Sequence, residues 1–245
     1  MKRRELMWAS AGAAAGIALP GVSRSATPCP PPTISVAGGT TATTSCGATP
    51  GKVTYSTNFP ANENPISEGG RWRNQGLDWT PVATSGGLAF STQTKNGYDD
   101  SYAFLSGFGN NQTASGVIHL AAGYNPGVTH EVEILLRCSD GPHTISYYEC
   151  NLAIAGGYAQ IMLLNGPIGS FREVTQTSRP IAARNGDVFS ASAVGNVITS
   201  YLNGVEIARA VDSTLPVGQP GMAFFIRPGA VAKNYCYSSY SASST

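Results

Sequence analysis

Three consecutive strand-like segments between residues 130 and 164 divide their side chains between an apolar face and a mostly polar face, because side chains alternate along a strand. The apolar face carries Val132, Ile134, Leu136, Cys138, Cys150, Leu152 and Ile154. The opposite face carries carboxylates, an arginine and amides, namely Glu131, Glu133, Arg137, Glu149, Asn151 and Gln160. A β-sandwich uses one face of each sheet for its core, so the pattern predicts a second face suited to a polar ligand.

A glycine pair indicates how the second and third segments are joined. Gly156-Gly157 is typical of a two-residue hairpin turn, because glycine tolerates the positive φ of the turns that suit hairpins. Closing the hairpin there places Asn151 opposite Met162 and brings Gln160 to the polar face. A slip by one residue would reverse every side chain, so the matching of apolar with apolar residues favours this pairing.

The rest of the chain alternates short strand-like runs with Gly, Asn and Pro and shows no helical pattern. Asn203-Gly204, within the hairpin 196–209, is the clearest local signal, since both residues accept positive φ. Further candidate strands are 53–58, 88–94, 101–106, 114–121, 171–177, 187–194, 222–226 and 234–241. This succession predicts an all-β fold, an antiparallel jelly-roll β-sandwich, rather than a parallel α/β sheet.

Several motifs resemble a known superfamily. The segments GDV at 186–188, ITSYLNGVE at 198–206 and GQPG at 218–221 resemble the last third of concanavalin A-like lectin/glucanase domains. A subgroup of secreted bacterial members of that superfamily, without a settled activity, is similar at GGRW (69–72), GYDDS (97–101), YAQI (158–161) and NGP (165–167). The resemblance covers roughly residues 53–243. It implies a concave sheet suited to saccharides, although a fold does not by itself fix a function.

The N-terminal segment is typical of an export signal. Lys2-Arg3-Arg4 precedes a mildly apolar stretch, residues 6–19, and a small-residue region in which we predict cleavage after Ser25. The paired arginines resemble a twin-arginine signal, with an ordinary Sec signal as the alternative. Residues 26–52, rich in Thr, Pro, Gly and Ala, are expected to form a linker, and residues 53–245 the β-sandwich domain. The predicted location is periplasmic or extracellular, in a bacterium.

Charge and hydropathy limit the possible partners of the mature chain. Cleavage after Ser25 would remove four basic residues and one acidic residue, which changes the net charge from +1 to about −2. No basic stripe is present, so nucleic acid is not an expected partner. No other segment approaches the roughly 20 apolar residues of a membrane helix, so no membrane span is expected in the mature protein.

The five cysteines are Cys29, Cys46, Cys138, Cys150 and Cys236. An oxidising destination permits disulfides, and an odd number leaves at least one thiol without an intramolecular partner. Cys138 and Cys150 fall on the same predicted face of neighbouring strands, which favours their pairing. Cys29 with Cys46 is the next expectation, leaving Cys236 free and buried; reduced, packed thiols are the alternative for each pair.

Glu131 and Glu133 are the candidate catalytic pair, because two carboxylates on one face can serve as acid and base in glycoside hydrolysis. Family-16 glucanases, which share the resembled fold, carry Glu-x-Asp-x-x-Glu on such a strand. This chain has Glu in place of the Asp and lacks the third acid, since Leu136 stands there. Saccharide binding by the two carboxylates, or simple solvation, remains open.

A polysaccharide lyase is the other enzymatic hypothesis. Proton abstraction beside a uronate needs a neutralising Arg or amide and a Tyr or His base. The available residues are Arg137, Asn151, Gln160, His119 and Tyr147, with Glu149 as a further ligand-binding candidate. Alginate lyases of this fold carry a Gln-Ile-His motif, whereas this chain has Met162 after Gln160-Ile161. A lone strand histidine such as His119 is more often structural.

Two loops contain further candidates. Trp72, like Trp79, lies in a glycine-rich loop, where an indole either stacks on a sugar ring or is buried against the sandwich. Asp99 and Asp100 are candidate ligands of a structural Ca²⁺, with a solvated turn as the alternative. No cofactor is required by the pattern.

These observations favour an exported β-sandwich protein that binds a polysaccharide or glycan through the polar sheet face. A hydrolase or lyase acting from the same face is the second hypothesis. A cell-surface or structural module without a sugar ligand is the third.

Overall fold

The computed structural model describes residues 52–95, 97–125, 129–155, 157–177 and 181–245, which fall within one compact unit, 47–245. Residues 1–51 lie outside the described residues. They hold the expected export signal, nearly all of the expected linker and the proposed Cys29–Cys46 pair, so these remain predictions. Across the described ranges, no helix has the length and apolar character that a membrane span requires.

Fourteen strands and one short 3-10 helix, Ala232–Asn234, make up the regular structure of the described residues. The strands are β1 Val53–Thr57, β2 Thr80–Ser85, β3 Leu88–Ser91, β4 Ser101–Phe104, β5 Gln112–Leu120, β6 Glu131–Gly141, β7 Thr144–Ala153, β8 Ala159–Gly166, β9 Phe171–Gln176, β10 Val188–Val194, β11 Val197–Leu202, β12 Val205–Val211, β13 Gln219–Phe225 and β14 Tyr235–Ser244.

The strands form two layers joined through β2. Sheet A has the order β12-β11-β10-β5-β14-β3-β2, with β1 added to β14, and sheet B has the order β2-β4-β13-β6-β7-β8-β9. All neighbours are antiparallel except β2 and β4, which run parallel. The two sheets pack face to face where β6 meets β5 and β10, and where β8 meets β12. The predicted all-β antiparallel sandwich is confirmed.

The main core lies between the sheets, where alternate residues of each strand point inward. Sheet B contributes Val132, Ile134 and Leu136, and sheet A contributes Phe189 and Tyr237, all fully buried. Burial of apolar area of this kind is the dominant favourable contribution to folding. The apolar half of the predicted alternation in β6 is therefore confirmed as far as Leu136.

A β-bulge in β6 ends that alternation. Arg137 has φ +55°, and the pairing of β6 shifts on both sides, between Leu136 and Ser139 where it meets β7 and between Gln219 and Gly221 where it meets β13. A bulge adds one residue to a strand, so the residues after it face the opposite way. Cys138 consequently joins the opposite face from Leu136.

The bulge makes the predicted Cys138–Cys150 disulfide wrong. Cys150 points into the main core, whereas Cys138 lies in an apolar cluster on the other side of sheet B. Both thiols are free and fully buried. Cys236 is free and buried as well, and its thiol donates a hydrogen bond to the Lys233 carbonyl at 3.2 Å.

The β7–β8 hairpin differs from the prediction in its register. Asn151 pairs with Gln160, not with Met162, and Met162 pairs with Glu149. The turn is therefore longer than the two glycines, and the Ala153 N–H donates to the Tyr158 carbonyl across it at 3.2 Å. Because the change amounts to two residues, every side chain keeps its predicted face.

Candidate functional site

Sheet B has a second face, which points away from the main core. One half of this second face is apolar and packs as a separate cluster of Tyr102, Phe104, Leu135, Cys138, Ile145, Tyr147, Met162, Leu164 and Ala223, joined by Trp79 and Phe171. The other half is polar and carries Glu131, Glu133, Glu149, Asn151, Gln160, Glu173 and Gln176. All of the sequence-predicted polar residues of β6 to β8 except Arg137 are thus brought together.

The segment 73–80 lies over the apolar half. The Gly76 N–H donates to the Tyr102 hydroxyl at 2.9 Å, and that hydroxyl donates to Asp140 Oδ2 at 2.7 Å. The Trp79 ring packs edge-on to the Tyr102 ring, with centroids 6.4 Å apart. Burial and the bond to Asp140 raise the pKa of Tyr102, so the hydroxyl stays protonated. This end of the second face is therefore closed by packed side chains.

The segment 97–100 lies where the apolar and polar halves meet. Its Tyr98 ring lies 5.0 Å from the Phe171 ring on β9, and Tyr98 remains 38% exposed. Gln93 holds the segment in place, since its amide nitrogen donates to Asp99 Oδ1 at 3.0 Å. Asp100, the last residue of the segment, is buried at the centre of the second face.

Three carboxylates meet at that centre. An oxygen from each of Asp100, Glu133 and Glu149 lies within 4.8 Å of the others, and all three residues are at most 1% exposed. Glu133 comes from β6, Glu149 from β7 and Asp100 from the residue before β4. These three residues form the carboxylate cluster.

The predicted Glu131–Glu133 pair is divided in the structure. Glu131 lies on the same face as Glu133, as expected, but its Oε1 accepts a hydrogen bond from the Tyr158 hydroxyl at 2.5 Å. Glu133 instead joins Glu149 and Asp100. Sequence spacing found the face but not the partner, because spacing within one strand carries no information on the neighbouring strands.

Two polar groups border the carboxylate cluster. The Tyr147 hydroxyl, on a residue 1% exposed, has no hydrogen-bond partner among the described residues. Burial raises its pKa well above the ordinary value, and the charges of Glu149, Asp100 and Glu133 raise the pKa further. The Asn151 amide nitrogen donates to Glu149 Oε1 at 2.9 Å, while its carbonyl oxygen has no partner within the described ranges.

The polar half ends at the edge strand β9. Gln160 donates from its amide nitrogen to Glu173 Oε2 at 3.0 Å and to Gln176 Oε1 at 2.6 Å. Glu173 is exposed, and Phe171 and Gln176 are half-buried. We call this edge, formed by Tyr98, Phe171, Gln160, Glu173 and Gln176, the β9 edge. It combines accessible aromatic surface with amide and carboxylate groups.

The prediction that Arg137 lies on the polar face is wrong. The β6 bulge turns its guanidinium toward backbone carbonyls at the end of the sandwich. Its Nη1 donates to Leu215 at 2.8 Å, its Nε donates to Asn110 at 3.3 Å, and its Nη2 donates to Gly195. Arg137 therefore holds three loops together and does not reach the second face.

His119 and Trp72 also lie away from the predicted site. His119 is on β5 of sheet A, half-buried, on the side opposite the core residues Ile118 and Leu120. Trp72 is 4% exposed in the main core, where its indole N–H donates to the Tyr55 hydroxyl at 2.9 Å. A buried indole cannot stack on a sugar, so for Trp72 the structural alternative is the one observed.

Only one member of the candidate metal pair belongs to the carboxylate cluster. The Gln93 amide nitrogen donates to both residues, to Asp99 Oδ1 at 3.0 Å and to Asp100 Oδ1 at 3.4 Å. Asp100 joins Glu133 and Glu149, whereas Asp99 lies outside that group.

Sequence reasoning missed Tyr98, Tyr158, Phe171, Glu173 and Gln176 as members of this face. Alternation along 171–176 was a usable signal for Phe171 and Glu173, but a register shift in the β8–β9 pairing brings Gln176 to the same side. No local pattern indicates that Tyr98 reaches β9, because that contact depends on the path of a loop.

Comparisons with known proteins concern the fold. No protein-family model matches the chain, and a search of curated sequences finds no match. A carbohydrate-binding module from Bacillus subtilis is 16% identical with a TM-score of 0.45, covering 74% of this chain and 96% of the module. The kappa-carrageenase of Zobellia galactanivorans is 12% identical with a TM-score of 0.49, covering 81% and 98%.

A galectin from Caenorhabditis elegans is 16% identical with a TM-score of 0.40, covering 64% of this chain and 94% of the galectin. Similarities with TM-scores below 0.5 and identities this low assign neither a superfamily nor a ligand nor an activity.

Proposed function

We propose that this protein is an exported polysaccharide-binding β-sandwich and that a sugar chain lies along the β9 edge. The observation that carries the proposal is the contact of the Tyr98 and Phe171 rings, 5.0 Å apart and partly accessible, at the edge strand that also carries Glu173 and Gln176. The buried parts of the second face hold this edge in position.

The chemistry of the edge matches that of a pyranose. One side of a sugar ring presents C–H groups, which pack well on an aromatic ring, while its hydroxyls need both donors and acceptors. The half-buried Gln176 amide offers donors, and the exposed Glu173 carboxylate accepts. Gln160 is buried and orients these two groups, since its amide nitrogen donates to both. Glu173 is exposed and able to meet a ligand without local unfolding.

A binding assay with matched variants tests the proposal. A glycan array followed by titration calorimetry with plant and bacterial polysaccharides should show binding to the wild-type protein. Tyr98→Ala should weaken it about 5- to 10-fold, since aromatic contacts contribute about 1 kcal/mol or more. Tyr201→Ala, at a half-buried tyrosine on β11 of sheet A, is the control and should leave affinity unchanged. Absence of binding at millimolar ligand contradicts the proposal.

Hydrolysis from the same face is the second candidate, favoured by the meeting of two carboxylates there. Oxygens of Glu133 and Glu149 lie within 4.8 Å of each other, and glycosidases use such a carboxylate pair, although both residues are fully buried here. Reducing-end release that disappears in Glu149→Gln would support it, and absorbance of unsaturated uronates would indicate a lyase. Binding without either product would indicate that sugar binding is the function. If neither binding nor turnover is detected, a structural module is indicated.

Export is proposed from the N-terminal sequence. The mature protein should appear in the periplasmic or culture fraction, with an N-terminus at Ala26 by mass spectrometry. Substituting Lys for both Arg3 and Arg4 should stop export if the signal is of the twin-arginine type and leave it intact if the signal is of the Sec type. Full-length protein in the cytoplasmic fraction contradicts the proposal.

A further inference from the structure

We propose that the carboxylate cluster of Asp100, Glu133 and Glu149 is a binding site for a hard divalent cation, best fitted by Ca²⁺. The oxygens of the three residues lie within 4.8 Å of one another in the interior of the second face. Opposite ligands of a Ca²⁺ ion are about 4.6–5.2 Å apart, since each oxygen lies 2.3–2.6 Å from the metal. This site goes beyond the proposed sugar binding and does not depend on it.

A second observation points to a ligand at the same place. The Tyr147 hydroxyl and the Asn151 carbonyl oxygen are buried beside the cluster and have no hydrogen-bond partner among the described residues. Buried polar oxygens in native proteins are nearly always satisfied, so each such group needs an explanation. A cation between the carboxylates would be coordinated by neutral oxygens of this kind, and its bound water would supply a donor to them.

The composition of the cluster selects the class of metal. Carboxylate, amide and hydroxyl oxygens suit Ca²⁺, Mg²⁺ and Mn²⁺, whereas no imidazole or thiolate stands in the group to favour zinc or copper. Ca²⁺ accepts six to eight oxygens in irregular geometry, while Mg²⁺ requires a near-ideal octahedron. Three carboxylates from β6, β7 and the segment before β4, with the Asn151 and Tyr147 oxygens beside them, offer several oxygen ligands, which favours Ca²⁺.

Electrostatics gives the site a structural role. Three carboxylates out of water repel one another, and this repulsion is strong in a medium of low effective dielectric. A divalent cation bound between them replaces repulsion with attraction. Because Asp100 belongs to the segment that carries Tyr98, the ion would also fix that segment on the sheet.

Titration calorimetry of chelator-treated protein with CaCl₂ alone is the first test. One site is expected, with Mg²⁺ at least 10-fold weaker. Glu149→Gln should weaken Ca²⁺ binding 10-fold or more, while Asp99→Asn and Glu206→Gln should stay within 2-fold. Asp99 adjoins the cluster without belonging to it, and Glu206 is an exposed carboxylate paired with Arg209. Unchanged binding in Glu149→Gln overturns the assignment.

Thermal unfolding of the wild-type protein supplies a test that does not depend on whether a variant folds. Saturating Ca²⁺ should raise the Tm of the wild-type protein by about 5 °C. In chelator, Glu149→Gln should be at least as stable as wild type, because one repelling charge is gone; in Ca²⁺ the order should reverse. Wild-type Tm and calorimetric heat that are both unaffected by 10 mM CaCl₂ overturn the proposal.

Discussion

Arg137 shows how far one residue's role depends on its backbone. In the left-handed region at φ +55°, its side chain leaves the alternation of β6 and binds three carbonyls of separate loops. Gly218 packs so closely on it that an added Cβ would lie 2.3 Å from the Arg137 carbonyl carbon. Burial lowers the pKa of Arg137.

Arg137→Met should therefore destabilise the fold without touching the sugar site. We expect a loss of about 2–4 kcal/mol in the free energy of unfolding, because the buried Leu215 carbonyl and two part-buried carbonyls lose a charged donor. Urea unfolding measures it. Arg209→Met, at an exposed Arg209–Glu206 pair, is the control and should leave the free energy of unfolding nearly unchanged. A change at Arg137 as small as the control's would contradict this role.

His130 predicts a pH dependence of stability. Burial, with a smaller contribution from Arg227, lowers its pKa from 6.5 to about 4, and its Nδ1 accepts the Arg227 N–H at 3.2 Å. The folded state favours neutral His130, so this stabilisation is present above pH 6.5 and is lost as the pH falls toward 4.

The free energy of unfolding, measured by urea denaturation, should consequently decrease by about 1–2 kcal/mol when the pH is lowered from 7 to 5. His130→Gln should flatten that part of the profile. His143→Gln, at a side chain 68% exposed, should leave it unchanged. If stability changes with pH equally in wild type and His130→Gln, other groups cause the pH dependence.

Among the strands, β6 has the largest influence on the second face, because its bulge decides which groups lie there. Before the bulge, Val132, Ile134 and Leu136 alternate as the sequence predicts; after it, Cys138 lies on the second face. Burial raises the pKa of the Cys138 and Cys150 thiols, which disfavours their reactive thiolate forms.

Iodoacetamide should accordingly modify Cys138 and Cys150 only after unfolding. Because no disulfide joins these two thiols, a reducing agent should not change the Tm by acting on them. Peptide mass spectrometry of folded and unfolded protein measures the modification, and calorimetry measures the Tm. The tryptic peptide of residues 74–95, which lacks cysteine, provides the recovery control. A disulfide-linked peptide containing both Cys138 and Cys150 would contradict the opposite-face arrangement.

In the domain as a whole, β1 ties the start of the β-sandwich to its end. It pairs with β14 over five residues, and Tyr55 packs with Trp72, whose ring contacts Tyr240 at 5.1 Å. The Tyr55 hydroxyl also bonds to the Glu68 carboxylate. The first strand is thus part of the core architecture.

A truncated protein of residues 52–245 should unfold in one cooperative transition with the Tm of the mature protein. Residues 59–245, which lack β1, should lose roughly 5–10 °C, because Trp72 and Tyr240 become accessible and a strand pairing is removed. Calorimetry compares the two. Equal Tm values would show that β1 contributes nothing to stability.

Much of the architecture is predictable from the sequence, and the errors have specific causes. The predicted faces of β7 and β8 are correct although the register differs by two residues, since an even shift preserves facing. Alternation places Arg137 and Cys138 on the wrong faces because a non-glycine residue at positive φ carries no sequence signal. The burial of Trp72 depends on strands distant from it in sequence, so its loop composition does not reveal it.

Alternation is a local property of an extended chain, so the amino-acid pattern alone is enough to define the all-β class, the inward residues of most strands and the existence of a polar second face. The meeting of Asp100 with Glu133 and Glu149, and the contact of Tyr98 with Phe171, arise only when the chain is folded. Those contacts join residues far apart in sequence, and they depend on strand order, one bulge and the path of one loop.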